Sequence, residues 1–222
     1  MTAKPLLVIG NKKYSSWSLR AWIGLTMAGV DFEEKPIAMY RPETPAEMRR
    51  YSPTALVPTL VDGDLTVHES LAILEYVNEA HAAGSMLPAQ RKRRALARAV
   101  CAEMHSGFAA LRARLPMNMA RAPGPTSGDW AIDAATQEDI TRILPMWEGL
   151  LTTGGGPYLF GEWSMADCMY LPVATRFCTY AVDTSGYPAS GPYIERVLAL
   201  PAFARWQAAG RAEPQEHPPY DR

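Results

Sequence analysis

Three serines in the stretch NKKYSSWSLRAWIGL, residues 11–25, stand where an apolar-periodic segment begins: Ser15, Ser16 and Ser18. A serine at that place caps a helix, because its hydroxyl accepts from backbone N–H groups that have no partner of their own. The same unpaired groups can hold an anion, and the helix dipole favours one there. A thiol lying against such a site has its thiolate stabilised by the dipole and by a charge-assisted hydrogen bond from the hydroxyl. The hydroxyl is then a donor and not a nucleophile. No GxSxG elbow surrounds these serines and no His–Asp pair is suggested nearby, which argues against a hydrolase triad. Arg20 falls one turn into the same segment, where an ion pair or a carbonyl contact is its expected role and substrate binding the alternative.

Two further stretches carry chemistry. In LVPTL the Val57-Pro58 step opens a strand, although proline cannot donate to a sheet ladder. An ordinary trans proline on an edge strand explains it. A cis bond would instead leave the Val57 N–H and C=O exposed, free to pair with an extended peptide ligand as if adding a strand. In HES, Glu69 and Ser70 precede the periodicity of another helix. Ser70 reads either as a plain N-cap or as a group that, with its amide, holds a ligand carboxylate while Glu69 accepts from a ligand ammonium.

The elements that must position these residues follow from periodicity. LLVI at 6–9 reads as a buried strand. Segment 16–28 then places Leu19, Trp22, Ile23 and Thr26 at helical spacing, with Gly29 as its stop. DFEEKPI, 31–37, is a second strand whose far end Pro36 demotes toward an edge. Together they make a βαβ unit. After a proline-containing stretch with one short helical turn, Val57 to Val61 and Leu65 to Val67 form strands joined at the turn signal Asp62-Gly63. HESLAILEYVNEAH sets Leu71, Ile73, Leu74 and Val77 on one side of a helix.

AAGSMLP, 82–88, reads as a linker, and no convincing strand pair lies beyond it. AQRKRRALARAVCAEMHSGFAALRARL is expected to be one long helix ending at Pro116. Residues 131–151 form another, with a kink or boundary at Pro145, and SMADCMYLPVATRFCTYAV and PYIERVLALPAFARWQAAG supply the last helices. The chain thus divides into an α/β unit over 1–81, a linker over 82–88 and an all-helical domain over 89–222.

The net charge of −1 gives no electrostatic basis for binding nucleic acid or an anionic membrane. The basic run RKRR, 91–94, reads as a solvated helix face. No window approaches the roughly 18 apolar residues of a membrane span, and the start lacks a signal-peptide pattern. Cys101, Cys168 and Cys178 form no CxxC pair, and the four histidines are scattered. These facts argue against a disulfide framework or a zinc site and point to a reducing, cytoplasmic setting. Each cysteine is expected to pack as a small apolar residue.

Taken in order, these elements resemble the cytosolic glutathione transferases over nearly the whole chain. The resemblance rests on SSWSLR, SPTALVPTL, ESLAILEYV and GEWSMADCMYLP, and it is nearest the zeta class, whose first motif reads SSCxxR, and bacterial serine-type members. It implies a thioredoxin-like α/β N-terminal domain joined to an all-α C-terminal domain, glutathione as co-substrate, a homodimer and a detoxification role. It implies that Ser15 stabilises the glutathione thiolate, with Ser16 as the alternate and Trp17 beside the thiol. Val57 would pair with the cysteinyl backbone ahead of a cis Pro58, and Glu69 and Ser70 would hold the γ-glutamyl end. In SMAD, Ser164 and Asp167 would form the family's capping box, with Trp163 in a hydrophobic staple.

Two departures stand out. Trp17 occupies the place of the zeta cysteine, and Arg176 follows Pro172 by four residues where zeta isomerases have seven. The second counts against maleylacetoacetate isomerase activity, since it displaces the arginine expected to bind a substrate carboxylate. With no cysteine in residues 1–100, the family's usual dehalogenation route is also disfavoured. The expected function is transfer of glutathione to an electrophilic, largely apolar small molecule. The alternatives are a glutathione-binding protein without turnover and a zeta-like cis–trans isomerase. The second-substrate wall is expected from Met104–Phe108, 117–121 and Tyr180, whose methionines read equally well as core.

Overall fold

The protein is described by a computed structural model over residues 4–126 and 128–221. Strand β1 (Leu6–Ile9) lies inside the sheet and is buried nearly throughout, as its wholly apolar sequence requires. Helix α1 (Ser16–Met27) buries Leu19, Trp22, Ile23 and Leu25 and ends at Gly29, whose φ of 71° suits a residue without a side chain. Strand β2 (Glu33–Pro36) pairs parallel to β1 on the sheet edge, where the missing N–H of Pro36 leaves no ladder bond broken.

After the short helix α2 (Thr44–Met48), β3 (Thr59–Asp62) runs antiparallel to β1 and turns into β4 (Leu65–His68). The sheet order is β2-β1-β3-β4. Helix α3 (Ser70–Ala80) follows and packs on α1. It buries Ile73, Leu74 and Val77 as expected, but Asn78 takes the inner position while Leu71 stays partly exposed, because the Asn78 carboxamide accepts the Met86 amide at 3.0 Å.

The rest of the described chain is helical: α4 (Arg91–Ser106), α5 (Ala109–Arg114), α6 (Ala134–Gly154), α7 (Met165–Thr179), α8 (Ser190–Leu198), α9 (Pro201–Ala212) and α10 (Pro218–Asp221). Helix α7 is the centre of this domain, buried without interruption from Met165 to Phe177. Trp147 of α6 packs against it, 5.3 Å from the Phe177 ring and 5.7 Å from Tyr170. The capping box at its start is present: the Ser164 N–H and hydroxyl both donate to Asp167 Oδ2 at 2.8 Å. Asp167 Oδ1 takes the Leu159 amide and the Tyr193 hydroxyl, each at 3.1 Å. Burial pushes this carboxyl up to about 6. No helix among the described residues is long and apolar enough to cross a membrane.

Several expectations need correction. The single helix expected over 89–115 is two, α4 and α5, separated at Gly107-Phe108. The Gly107 amide closes onto the Glu103 carbonyl at 2.8 Å, a Cβ there would fall 2.8 Å from the same oxygen, and Phe108 takes φ 56°. Gly107 therefore marks a break inside the segment expected to be one helix. Helix α6 continues through Pro145. Cys101 and Cys168 are buried, whereas Cys178 is exposed. Of the basic run, Arg93 and Arg94 dock on the carbonyls of Phe160, Pro88 and Ala89 instead of lying free in solvent. The segment after α9 has no periodicity to announce it, yet α10 folds back onto the N-terminal domain.

Candidate functional site

The site forms where α1 begins. Ser15 is the N-cap of α1: its Oγ accepts the Ser18 amide at 3.3 Å and donates to Ser18 Oγ at 2.8 Å. Ser18 Oγ in turn accepts the Gly10 amide at 3.0 Å, which ties the cap to the end of β1. Ser16, the first helical residue, is buried, and its Oγ accepts from Arg176 Nη2 of α7 at 3.3 Å. Both serines face a cleft of about 480 Å³ between the two domains.

The N-terminal domain supplies one wall of that cleft with Trp17, Tyr40, Leu56 and Val57. The Val57-Pro58 bond is cis, and the Val57 amide and carbonyl have no hydrogen-bond partner among the described residues. The opposite wall comes from Arg112, Pro116, Met117, Arg176 and Tyr220. Met117 alone is shared with the wall expected from sequence. Met104, Phe108, Met119 and Tyr180 are core, and the Tyr180 hydroxyl is spent on the Pro116 carbonyl at 2.8 Å.

Glu69 and Ser70 are not on this cleft's walls. Glu69 is the N-cap of α3 at φ 71°, with no side-chain capping bond, so Ser70 is the first helical residue and not the cap. Ser70 is 1% exposed, and its hydroxyl has no partner among the described residues. A buried hydroxyl left unpaired costs free energy, so its pairing with a ligand is favoured. His105 of α4 links the two regions: its ring lies 5.5 Å from Trp17, edge to face, and its Nε2 is 3.6 Å from Glu69 Oε2.

Positive charge dominates the cleft. Arg176 is buried, and burial together with Arg112 lowers it to about 10, so it stays charged at neutral pH. Arg20 is fully buried behind Trp17, with its Nε on the Met169 carbonyl at 2.9 Å, the carbonyl contact expected of it. Its guanidinium lies 4.3 Å from the Trp17 ring centre, and that of Arg112 lies 5.3 Å from the same ring. Arg112 and Tyr220 escaped the sequence reading because neither sits in a motif. Arg112 reads as one more base on a helix, and Tyr220 belongs to an aperiodic tail. Arg176 was in view, but only its spacing from Pro172 could be judged.

Comparison with known proteins accounts for this arrangement. The glutathione S-transferase N-terminal domain family matches residues 14–80, and the glutathione S-transferase C-terminal domain family matches residues 94–209. Maleylacetoacetate isomerase from Rattus norvegicus is 30% identical over 205 residues, 90% of each chain. Glutathione S-transferase Z2 from Arabidopsis thaliana is 26% identical, over 86% of this chain and 88% of its own. A glutathione transferase homolog from Burkholderia, solved with bound glutathione, superposes with a TM-score of 0.70 at 26% identity, covering 95% of this chain and 100% of its own. The chain belongs to the glutathione S-transferase family, with zeta-class proteins among its relatives.

Proposed function

We propose that this protein binds glutathione along its N-terminal domain and directs the thiolate at an electrophilic small molecule held in the interdomain cleft. The observation that carries this reading is the meeting, in one cleft, of the serines at the start of α1, the unpaired Val57 backbone and a cationic wall from the helical domain. Glutathione would pair its cysteinyl backbone with Val57 ahead of Pro58, place its sulfur against Ser15 and Ser16 beside Trp17, and reach Glu69 and Ser70 with its γ-glutamyl end. The orphaned Ser70 hydroxyl supports that last contact. The protein's contribution is then thiol activation and proximity. On this reading residues 1–81 carry the glutathione site and residues 89–222 the second-substrate wall, across a linker at 82–88. A cytoplasmic homodimer acting in detoxification fits the family, and the exposed apolar Leu65 and Leu96 are candidates for its interface.

A second reading is favoured by Arg112 and Arg176 on the same wall. Two guanidinium groups facing one cleft suit a substrate that carries carboxylates, as a zeta-like cis–trans isomerase would require. The spacing of Arg176 from Pro172 therefore does not remove it from the site.

Calorimetric titration with glutathione, followed by assays with a chromogenic aryl halide and with maleylacetoacetate, separates the readings. Conjugation supports the transferase and isomerisation the second reading. Binding without either leaves a glutathione-binding protein, and failure to bind glutathione overturns all three.

A further inference from the structure

The two serines at the start of α1 differ in where their protons go. The Ser15 hydroxyl proton is already given to Ser18 Oγ at 2.8 Å, inside a relay that ends at the Gly10 amide. The Ser16 oxygen accepts a hydrogen bond from Arg176 Nη2, and its own O–H, which has no acceptor among the described residues, opens on the cleft. A hydroxyl that accepts from a guanidinium is polarised by it and becomes the stronger donor to an anion.

Arg176 is built for this task. Its Nε donates to the Leu115 carbonyl at 2.8 Å and its Nη1 to the Pro172 carbonyl at 2.9 Å, which fixes the plane of the group and aims Nη2 at Ser16. None of its acceptors is a carboxylate. Arg20 and Arg112 likewise bond to backbone carbonyls and lie over the Trp17 ring, and Nη1 and Nη2 of Arg20 have no hydrogen-bond partner among the described residues. Three buried or half-buried guanidinium groups therefore surround Ser16 and Trp17 without an ion-paired acid. The other titratable groups facing them are the Tyr14, Tyr40 and Tyr220 phenols, Lys13 and Asp221 behind Tyr14, Asp139 on the far side of Arg112 and, beyond Trp17, His105 with Glu69. Burial pushes the Tyr14 and Tyr40 phenols up, so neither carries negative charge at neutral pH.

We propose that Ser16, oriented and polarised by Arg176, is the hydroxyl that donates to the bound thiolate, and that Arg176 is the positioning residue that sets the thiol's acidity. The inference rests on the glutathione reading above. Only the S–H bond of the ligand breaks: its proton leaves to solvent, and the sulfur's negative charge accepts from Ser16 within the field of the arginines.

The test is the pKa of the thiol in the glutathione-saturated protein, read from thiolate ultraviolet absorbance against pH. Ser16→Ala should raise that pKa by about one unit, a roughly tenfold fall in the thiol's ionisation constant. Ser16→Thr, which keeps the hydroxyl, should hold it near the wild-type value, and Ser15→Ala should move it less than Ser16→Ala. Arg176→Met should raise it by a similar amount alone and by much less in the Ser16→Ala background, since coupled groups are not additive. Arg176→Lys should fall between.

A larger effect of Ser15→Ala, or folded Arg176 variants with an unchanged thiol pKa, overturns the proposal. If the Arg176 variants do not fold, the order among Ser16→Ala, Ser16→Thr and Ser15→Ala decides. A wild type that binds glutathione with an unshifted thiol overturns this inference and leaves the binding reading standing. A wild type that does not bind glutathione fails at the earlier step.

Discussion

The Tyr14 hydroxyl lies 2.7 Å from Asp221 Oδ2, so the residue preceding the paired serines is bonded to the far end of the chain. The bond is one of several. The Glu213 carboxylate accepts the Lys12 amide at 2.8 Å and the Lys13 amide at 3.0 Å, and Asn118 donates to Asp221 at 2.9 Å. The His217 ring stacks on Tyr40 with centroids 3.6 Å apart, and Tyr220 reaches the cleft wall. The tail is thus a strap across the loop that delivers Ser15 and Ser16.

Glu213→Gln weakens that strap where it grips the loop. Replacing a carboxylate acceptor by an amide at two backbone N–H groups should cost about 1–2 kcal/mol. Hydrogen exchange at the Lys12 and Lys13 amides should then quicken by roughly tenfold, while amides of α7 keep their protection. Unchanged exchange at these two amides would show that Glu213 does not hold the loop.

Ser70→Ala separates a ligand contact from a structural one. The buried Ser70 hydroxyl has no partner among the described residues, so its removal should leave stability unchanged or raise it by about 1 kcal/mol, a few degrees in Tm. Glutathione affinity should fall by about tenfold, since a hydrogen bond to a charged ligand group is lost. A calorimetric Kd equal to the wild type's would remove Ser70 from the binding site.

Asp167 supplies a pH dependence. Its folded carboxyl titrates at about 6 against 3.8 ordinarily, because burial disfavours its charge. Between those values the folded chain keeps a proton that the unfolded chain has released. The contribution is therefore fully present below about pH 4 and is lost as pH rises through 6. Relative to Asp167→Asn, the wild type should lose up to about 3 kcal/mol between about pH 4 and pH 7. Urea denaturation of both proteins across that range measures it, and a flat difference would mean that the carboxylate's four hydrogen bonds offset its burial.

Much of the fold is legible in local sequence. The βαβ unit, the Asp62-Gly63 hairpin and the Ser164–Asp167 capping box are each formed by residues within a few positions of one another, or by a strict hydrophobic period. The α4–α5 break was not legible, because a glycine in a helical run has the same local signature whether the helix passes through it or ends there. The tail escaped for a similar reason. Its strap is held by hydrogen bonds and ring contacts to residues some 100 to 200 positions away, and it has no apolar face of its own.

The sequence by itself determined that hydroxyls would stand at the start of α1, that Val57-Pro58 would open a strand and that Glu69-Ser70 would open a helix. Those placements depend on backbone groups and neighbouring side chains. Only the tertiary structure decided which serine keeps a free proton, since that turns on Arg176 arriving from 160 residues away at Ser16 and on Ser18 reaching Gly10. It also decided that three arginines would gather with no ion-paired carboxylate among the described residues. Pattern and propensity act along the chain, whereas hydrogen-bond partners and the loss of solvent around a charge exist only once distant segments are packed together.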